Sequence, residues 1–212
     1  MKTADLINSL AADPVASPVN LGRRVALALA LGGAVSLVVF MAVLGPRHDA
    51  MAAMRTMRFD LKFADTLTFL APSALLCARL LRPDARPGAL ALLFLAPFAL
   101  LGGAVLAELA LVPSQEWGTR LVGHNALHCL MLIPLMSIPP LAALIAAMRA
   151  GAPRYPALSG ALAGAASAGV AATIYATNCT DDSPLFVASW YPLATLIVAA
   201  AGAIAGRRFL AW

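Results

Sequence analysis

Six long apolar runs, joined by short polar connections, organise the chain from residue 25 onward. A helix that crosses a bilayer needs about 20 mostly apolar residues. A membrane-barrel strand would instead alternate apolar and polar positions, which these runs do not do. The pattern therefore predicts an all-α, polytopic membrane bundle of six transmembrane helices, without a separate soluble domain. The predicted spans are residues 25–44, 62–81, 89–112, 128–148, 157–176 and 192–206, with 189–191 extending the last.

The composition supports a membrane location. Of the 212 residues, 61% are hydrophobic and 12% are charged, whereas soluble domains carry about 25% charged residues. A domain of this size cannot hide so much apolar surface, because it still exposes a large share of its surface. Membrane lipid is therefore the expected surrounding. The net charge of +5 comes without a basic run or an aromatic platform, so no direct contact with nucleic acid is predicted.

The distribution of Lys and Arg predicts the orientation, because cytoplasmic loops of membrane proteins carry an excess of both residues. With the N-terminus inside, the cytoplasmic pieces hold 10 of the 15 basic residues. Both termini are therefore expected in the cytoplasm. The chain divides into a cytoplasmic N-terminal segment, residues 1–24, and a six-helix transmembrane domain, residues 25–212.

The start of the chain reads as a short amphipathic helix over residues 1–10. Its apolar residues Leu6, Ile7 and Leu10 stand among polar ones such as Asp5, which is the pattern of a helix with one apolar face. Such a segment is suited to fold against a partner protein. The alternative is an anchor on the membrane surface, and the residues alone do not choose between the two.

The predicted topology separates the three cysteines. Cys129 and Cys179 fall on the outer face, and Cys77 falls near the cytoplasmic face. Two thiols facing an oxidising compartment could form a disulfide or bind a soft metal ion. The alternative is that they are small, buried apolar residues. Spacing alone leaves both open.

Polar neighbours of these cysteines could complete a metal site. His124 and His128 lie four residues apart, on one face if the helix begins early, and Asp181 follows Cys179 closely. Thiolate together with imidazole suits copper(I) or zinc, and a carboxylate can assist. The alternative for both histidines is hydrogen bonding at the membrane interface.

Two acidic residues inside apolar runs, Asp65 and Glu108, raise a second function class. Acids within a membrane face the bundle or a cavity and mark ion or proton pathways by default, which would fit a small-solute or proton transporter. Lys62 could instead pair with Asp65 within one helical turn, and Glu108 could lie at the interface. The chain carries none of the common catalytic sequence motifs, so we do not expect an enzyme.

Small residues and aromatic residues each allow two interpretations. Two glycine motifs, Gly160 with Gly164 and Gly202 with Gly206, let helix backbones approach closely. They predict packing within one bundle, or else a homodimer face in a membrane scaffold. The aromatic residues Phe186, Trp190 and Tyr191 are typical of an interfacial belt, with shielding of the cysteines as the alternative.

Several segments together resemble the NrsF family, over essentially the whole chain. They are the opening MKTADLINSL, the pair Arg23-Arg24, His128-Cys129 with Pro134, the stretch YATNCTDDSPLF at 175–186, and Trp190-Tyr191-Pro192. The resemblance implies a bacterial inner-membrane anti-sigma factor. Such a protein holds an extracytoplasmic-function (ECF) sigma factor inactive and releases it under metal or oxidative stress.

The resemblance also implies roles for particular residues. The family's two functional cysteines map onto Cys129 and Cys179, and residues 1–10 become the candidate sigma-binding segment. We expect oxidation or metal binding to join the two cysteines and so to shift the packing of the helices. His124, His128 and Asp181 are the candidate additional ligands.

Overall fold

The computed structural model describes Thr3 and residues 20–211. Six long α-helices dominate it: α1 (Leu21–Val43), α2 (Met57–Arg79), α3 (Leu95–Leu111), α4 (Ala126–Met148), α5 (Pro156–Ala176) and α6 (Pro184–Phe209). Shorter helical segments lie between them: Ala50–Ala53, Trp117–Val122 and the 3₁₀ turns Gly88–Phe94 and Ser114–Glu116. In this described part, six helices are long and apolar enough to cross a membrane. Residues 20–211 contain no β-strand.

The all-α architecture with six such helices confirms the prediction from the apolar runs. Helix α6 begins earlier than predicted, at Pro184, five residues before the extended start at 189. Ser183 caps this helix by accepting a hydrogen bond from the Leu185 backbone N–H, and proline is favoured in the first turn. The predicted amphipathic helix 1–10, with Asp5, Leu6, Ile7 and Leu10, lies outside the described residues except for Thr3.

Helix α5 is the centre of the bundle, and it contacts α1, α2, α4 and α6. It is built almost entirely from small residues, and most of them are buried. Helix α3 is the opposite case. It packs against α2 and α6 at the periphery, and Pro97 and Glu108 are its only buried residues.

The interface between α5 and α6 is formed by the two glycine motifs. A Cβ on Gly160 would meet the Gly202 carbonyl oxygen and the Gly206 backbone, and a Cβ on Gly202 would meet the Gly160 carbonyl oxygen. Gly164 is equally close to the backbone of Val198. The interpretation as packing within one bundle is therefore confirmed. The alternative of a homodimer face formed by these glycines is wrong, because each motif is already covered by the other.

Buried side chains form two separate core clusters, one towards each end of the bundle. The first holds Cys129 and Cys179 together with Tyr175, Phe186 and Tyr191. The second holds Cys77, with its Sγ 3.6 Å from Met148 Sδ. We call the end with the first cluster the cysteine end; the connections 44–56, 112–125 and 177–183 lie there. The separation of Cys77 from the other two cysteines agrees with the alternation of helix directions used in the sequence analysis.

We predict that Gly160→Val destabilises the bundle by about 1–3 kcal/mol, the usual cost of overpacking a tight interface. The added side chain would be forced into the backbone of α6. Gly102→Val on α3 is the matched control, because nothing lies within 4 Å of a Cβ at that position. The measurement is thermal unfolding of the purified protein in detergent. Equal melting temperatures for the two variants would contradict the assigned packing.

A candidate thiol site at the cysteine end

Cys129 and Cys179 are both fully buried and both are free thiols. Cys129 lies in the first turn of α4, where its backbone N–H donates to Asn125 O at 2.8 Å. Cys179 lies just beyond α5, where its N–H donates to Tyr175 O at 3.1 Å. The two belong to one core cluster, so an element at the start of α4 and the connection between α5 and α6 meet at these thiols.

Residues 177–183, which we call the cysteine loop, are held by a buried ammonium group from α2. Lys62 is 1% exposed. Its Nζ donates to Cys179 O at 2.9 Å and to Asp181 O at 3.4 Å, and it lies 2.5 Å from Asp182 Oδ1. Isolated charges are costly to bury, and they are tolerated when paired and hydrogen-bonded. Here one side chain and two backbone carbonyls of the loop supply those partners.

The connection between α1 and α2 provides a second set of contacts to the same loop. Arg47 Nη1 donates to Asp182 Oδ2 at 2.8 Å and to Cys179 O at 3.3 Å. The Arg47 backbone N–H donates to Thr177 O, and Asn178 Nδ2 donates to Gly45 O. The Cys179 carbonyl therefore accepts hydrogen bonds from two cationic side chains, one on α2 and one on the preceding connection.

Asp181 joins the loop to the start of α4. Its Oδ2 accepts hydrogen bonds from the backbone N–H groups of His124 and Asn125, at 2.9 and 2.8 Å, and from Asn125 Nδ2 at 2.8 Å. Gly123, with φ of +58°, makes this approach possible, because a Cβ there would lie 2.7 Å from Asp181 Cγ and 2.6 Å from Phe186 Cδ2. A left-handed backbone and lack of space both require glycine at this position.

A second polar cluster surrounds Glu108 on α3. Its carboxylate accepts hydrogen bonds from Arg58 at 2.7 Å, from Arg120 at 2.9 Å and from Ser183 at 3.3 Å. Glu108 is 4% exposed, and its place at the membrane interface stays a prediction. It is a buried counter-ion that ties α2, α3 and the cysteine loop together.

The candidate metal ligands come together only in pairs: Cys129 and Cys179 share one core cluster, and His124 Nδ1 lies 3.7 Å from Asp181 Oδ1. His124 exposes 91% of its side chain, and His128 is exposed while its neighbour Cys129 is buried. The Oδ2 atom of Asp181 already accepts hydrogen bonds from His124 and Asn125, at the start of α4. Within the described residues, no group of three or more His, Cys, Asp or Glu side chains could hold a metal ion.

The contacts around the cysteine loop also decide the predictions for Lys62 and for the three aromatic residues. Lys62 pairs with Asp182 and not with Asp65, whose Oδ1 is buried without a hydrogen-bond partner. Phe186 and Tyr191 lie in the core beside the thiols, so the aromatic-belt interpretation is wrong for both, and the shielding alternative agrees with their position. Trp190 is half-buried, and its indole N–H donates to Leu121 O at 2.8 Å.

Sequence reasoning missed the roles of Lys62 and Arg47. The signal for Lys62 was its place within an apolar run, since a buried cation needs an acidic partner. That partner comes from a distant segment, and nothing local in the sequence identifies it. Arg47 was counted only for the orientation.

Comparison with known proteins identifies the family. The family model described as "Negative regulator of sigma F" (NrsF) matches residues 10–212. The chain belongs to the NrsF family. Among proteins of this family, a probable anti-sigma-F factor of Azospira oryzae is 34% identical over 220 residues. The anti-sigma-F factor of Caulobacter vibrioides is 31% identical over 218 residues. Both alignments cover all of this chain and all of the relative. No solved structure matches the chain.

The environment of Cys179 controls its reactivity. Burial raises the pKa of the Cys179 thiol above its ordinary value, and the Lys62 ammonium opposes this rise. The thiolate is the reactive form of cysteine. Cys179 in the folded protein therefore stays protonated at neutral pH and reacts slowly.

We predict that alkylation of Cys179 by iodoacetamide accelerates about tenfold per pH unit up to pH 9 without levelling off. The thiolate fraction rises by that factor wherever the pH is below the pKa. The measurement uses detergent-solubilised Cys77→Ser/Cys129→Ser protein, with the same protein in denaturant as the control that levels off near the ordinary pKa. A folded-state profile that is flat above pH 8 would contradict the burial argument.

Proposed function

We propose that this chain is a membrane anti-sigma factor that holds an ECF sigma factor inactive and releases it when Cys129 and Cys179 are oxidised. The observation that carries the proposal is the meeting of these two free, buried thiols in one core cluster, in a chain that belongs to the NrsF family over its full length. Two full-length relatives are named as anti-sigma-F factors.

The proposed location is the bacterial inner membrane, with both termini in the cytoplasm and the cysteine end outside. The ion pairing of the basic residues supports this orientation. Four of the five basic residues at the cysteine end are in ion pairs with acids: Arg47, Arg58, Lys62 and Arg120. Their charge is therefore largely neutralised within the fold. The free basic charge is concentrated at the opposite end, as expected for a cytoplasmic face.

The proposed partner is a cytoplasmic ECF sigma factor. The opposite end of the bundle has a groove of about 600 Å³ whose charged lining residues are three arginines, Arg79, Arg82 and Arg86, and one acid, Asp84; we call it the basic groove. Residues 1–10, with Asp5, Leu6, Ile7 and Leu10, precede this groove in the chain. We propose that they dock the sigma factor, through an apolar helical face of the kind that binds partner grooves.

The proposed chemistry is the formation of a disulfide between the two thiols. Each thiol loses one proton and one electron, the two sulfur atoms form a bond, and one molecule of hydrogen peroxide is reduced to two of water. A metal-bridged state fits the described residues less well. Structural zinc takes four protein ligands, whereas only two thiols meet here, and the two histidines are exposed.

The disulfide would act on the helices through geometry. It has strict distance and torsion requirements, so joining the start of α4 to the cysteine loop would fix their relative position. The loop also contacts α2 and the connection after α1. A change there reaches several helices at once. Linked sites in proteins are typically coupled by about 1–3 kcal/mol, which is enough to lower sigma-factor occupancy several-fold.

We predict that Cys129→Ser and Cys179→Ser each lock sigma-dependent reporter output, so that it no longer changes with hydrogen peroxide, copper, cadmium or chromate. Neither serine variant can form the disulfide. Cys77→Ser is the matched control, because Cys77 is equally buried but belongs to the other core cluster, and it should respond like the wild type. Protein level in the membrane is followed by immunoblot.

Each outcome of this experiment has a definite reading. If both cysteine variants respond like the wild type, sensing by the thiol pair is wrong. If the Cys77→Ser variant is locked as well, the effect of the substitutions is on packing. A response that survives with copper or cadmium but is lost with peroxide would separate metal ligation from oxidation.

A further inference from the structure

The contacts of Lys62 differ in kind from those of an ordinary buried ion pair. Its ammonium group contacts one carboxylate, and it also donates hydrogen bonds to two backbone carbonyls of the cysteine loop, Cys179 O and Asp181 O. A lysine that served only to balance a buried acid would need the carboxylate alone. The carbonyl contacts fix the position of the residue that carries one of the two thiols.

Apart from those of Lys62, few contacts join the cysteine loop directly to α2. The Cys179 thiol makes a 3.8 Å contact with Asp181 O, and its other neighbours, which include Tyr175 and Tyr191, belong to the core cluster. Arg47 reaches the same carbonyl at 3.3 Å, from a connection rather than from a helix. Lys62 is thus the side chain that ties the Cys179 carbonyl to α2, while the Cys179 N–H is hydrogen-bonded to the end of α5.

We propose that Lys62 is a positioning residue that holds the cysteine loop closed, and that release of its contacts sets the rate at which the Cys179 thiol reacts. In the closed loop the thiol is buried. When the Lys62 contacts break, the loop moves away from α2 and the thiol meets water and its oxidant. This inference rests on the proposed function of the thiol pair, and it assigns the control of that pair to a residue on another helix.

The same contact connects the thiol pair to the opposite end of the bundle. Lys62 lies near the start of α2, and Arg79, which lines the basic groove, lies at its end. Helix α2 is continuous between these two residues, with Pro72 inside it, and coupling between distant sites travels through packed elements that have two arrangements. Opening of the loop removes one of the contacts that hold the cysteine end of α2, beside the Arg58–Glu108 pair, and this allows α2 to change its packing on α5.

The test compares the alkylation rates of Cys179 in Lys62→Met, Lys62→Arg and Asp65→Asn, all in Cys129→Ser protein in detergent. A water-soluble maleimide is the reagent, and mass spectrometry reads Cys77 and Cys179 separately. Methionine keeps the volume and removes the donors, and arginine keeps a charged donor. Asp65→Asn changes a carboxyl group one turn further along α2, in the pocket beside Lys62 and Asp182; the buried Oδ1 of Asp65 has no hydrogen-bond partner. We expect at least a tenfold faster reaction at Cys179 for Lys62→Met, a rate within threefold of the parent for the other two, and an unchanged rate at Cys77.

Two results would overturn the proposal. One is a Cys179 rate for Lys62→Met equal to that of the parent. The other is a parallel rise at Cys77 and Cys179, which would make Lys62 a support of the whole bundle. These outcomes are distinct from failure of the proposed function. If Cys179 is labelled faster in Lys62→Met but the cysteine variants respond normally in the reporter assay, Lys62 controls the loop and the thiol pair is not a sensor. If labelling is unchanged but the cysteine variants are locked, the thiol pair is a sensor and Lys62 does not control it.

Discussion

The cysteine end of this bundle depends on the burial of one ammonium group. Lys62 is among the largest fully buried side chains in the described residues, and a buried cation is stable only where its partners are fixed in place. Those partners are the backbone and one carboxylate of residues 177–183. Positioning them requires Arg47, Asn125 and the glycine at 123, so the connections between the helices are held by specific contacts.

The two ends of the bundle differ in the number and kind of their polar contacts. At the cysteine end, ion pairs and hydrogen bonds join segments that are far apart in sequence, and the thiols lie beneath them. At the opposite end, the second core cluster is apolar, and Arg79, Arg82 and Arg86 line a groove at that end. The small residues of α5 join the two ends by direct backbone packing, without long side chains that could absorb a movement. The proposed coupling between the thiols and the sigma factor would depend on such a connection.

The sequence was sufficient for the architecture but not for the chemistry around the thiols. Apolar run length determines how many helices can cross a bilayer, and the glycine spacing determined how α5 and α6 meet. The partners of Lys62 and Glu108 were not predictable, because each pair joins residues on different helices and the local pattern offered nearer candidates. His128 shows a related limit: adjacent residues on a helix point about 100° apart, so its neighbour Cys129 can be buried while it is exposed.

The long sequence separation of the Lys62 contacts bears on how the protein is made. Helix α2 is the least hydrophobic of the six, and Lys62 meets Cys179, which is 117 residues further along the chain. At synthesis rates of about 5–20 residues per second, an interval on the order of ten seconds separates the synthesis of Lys62 from that of its partner. During biogenesis α2 must therefore stay near the translocation machinery or the membrane surface, and the chain can complete its insertion only after the fifth helix has been delivered.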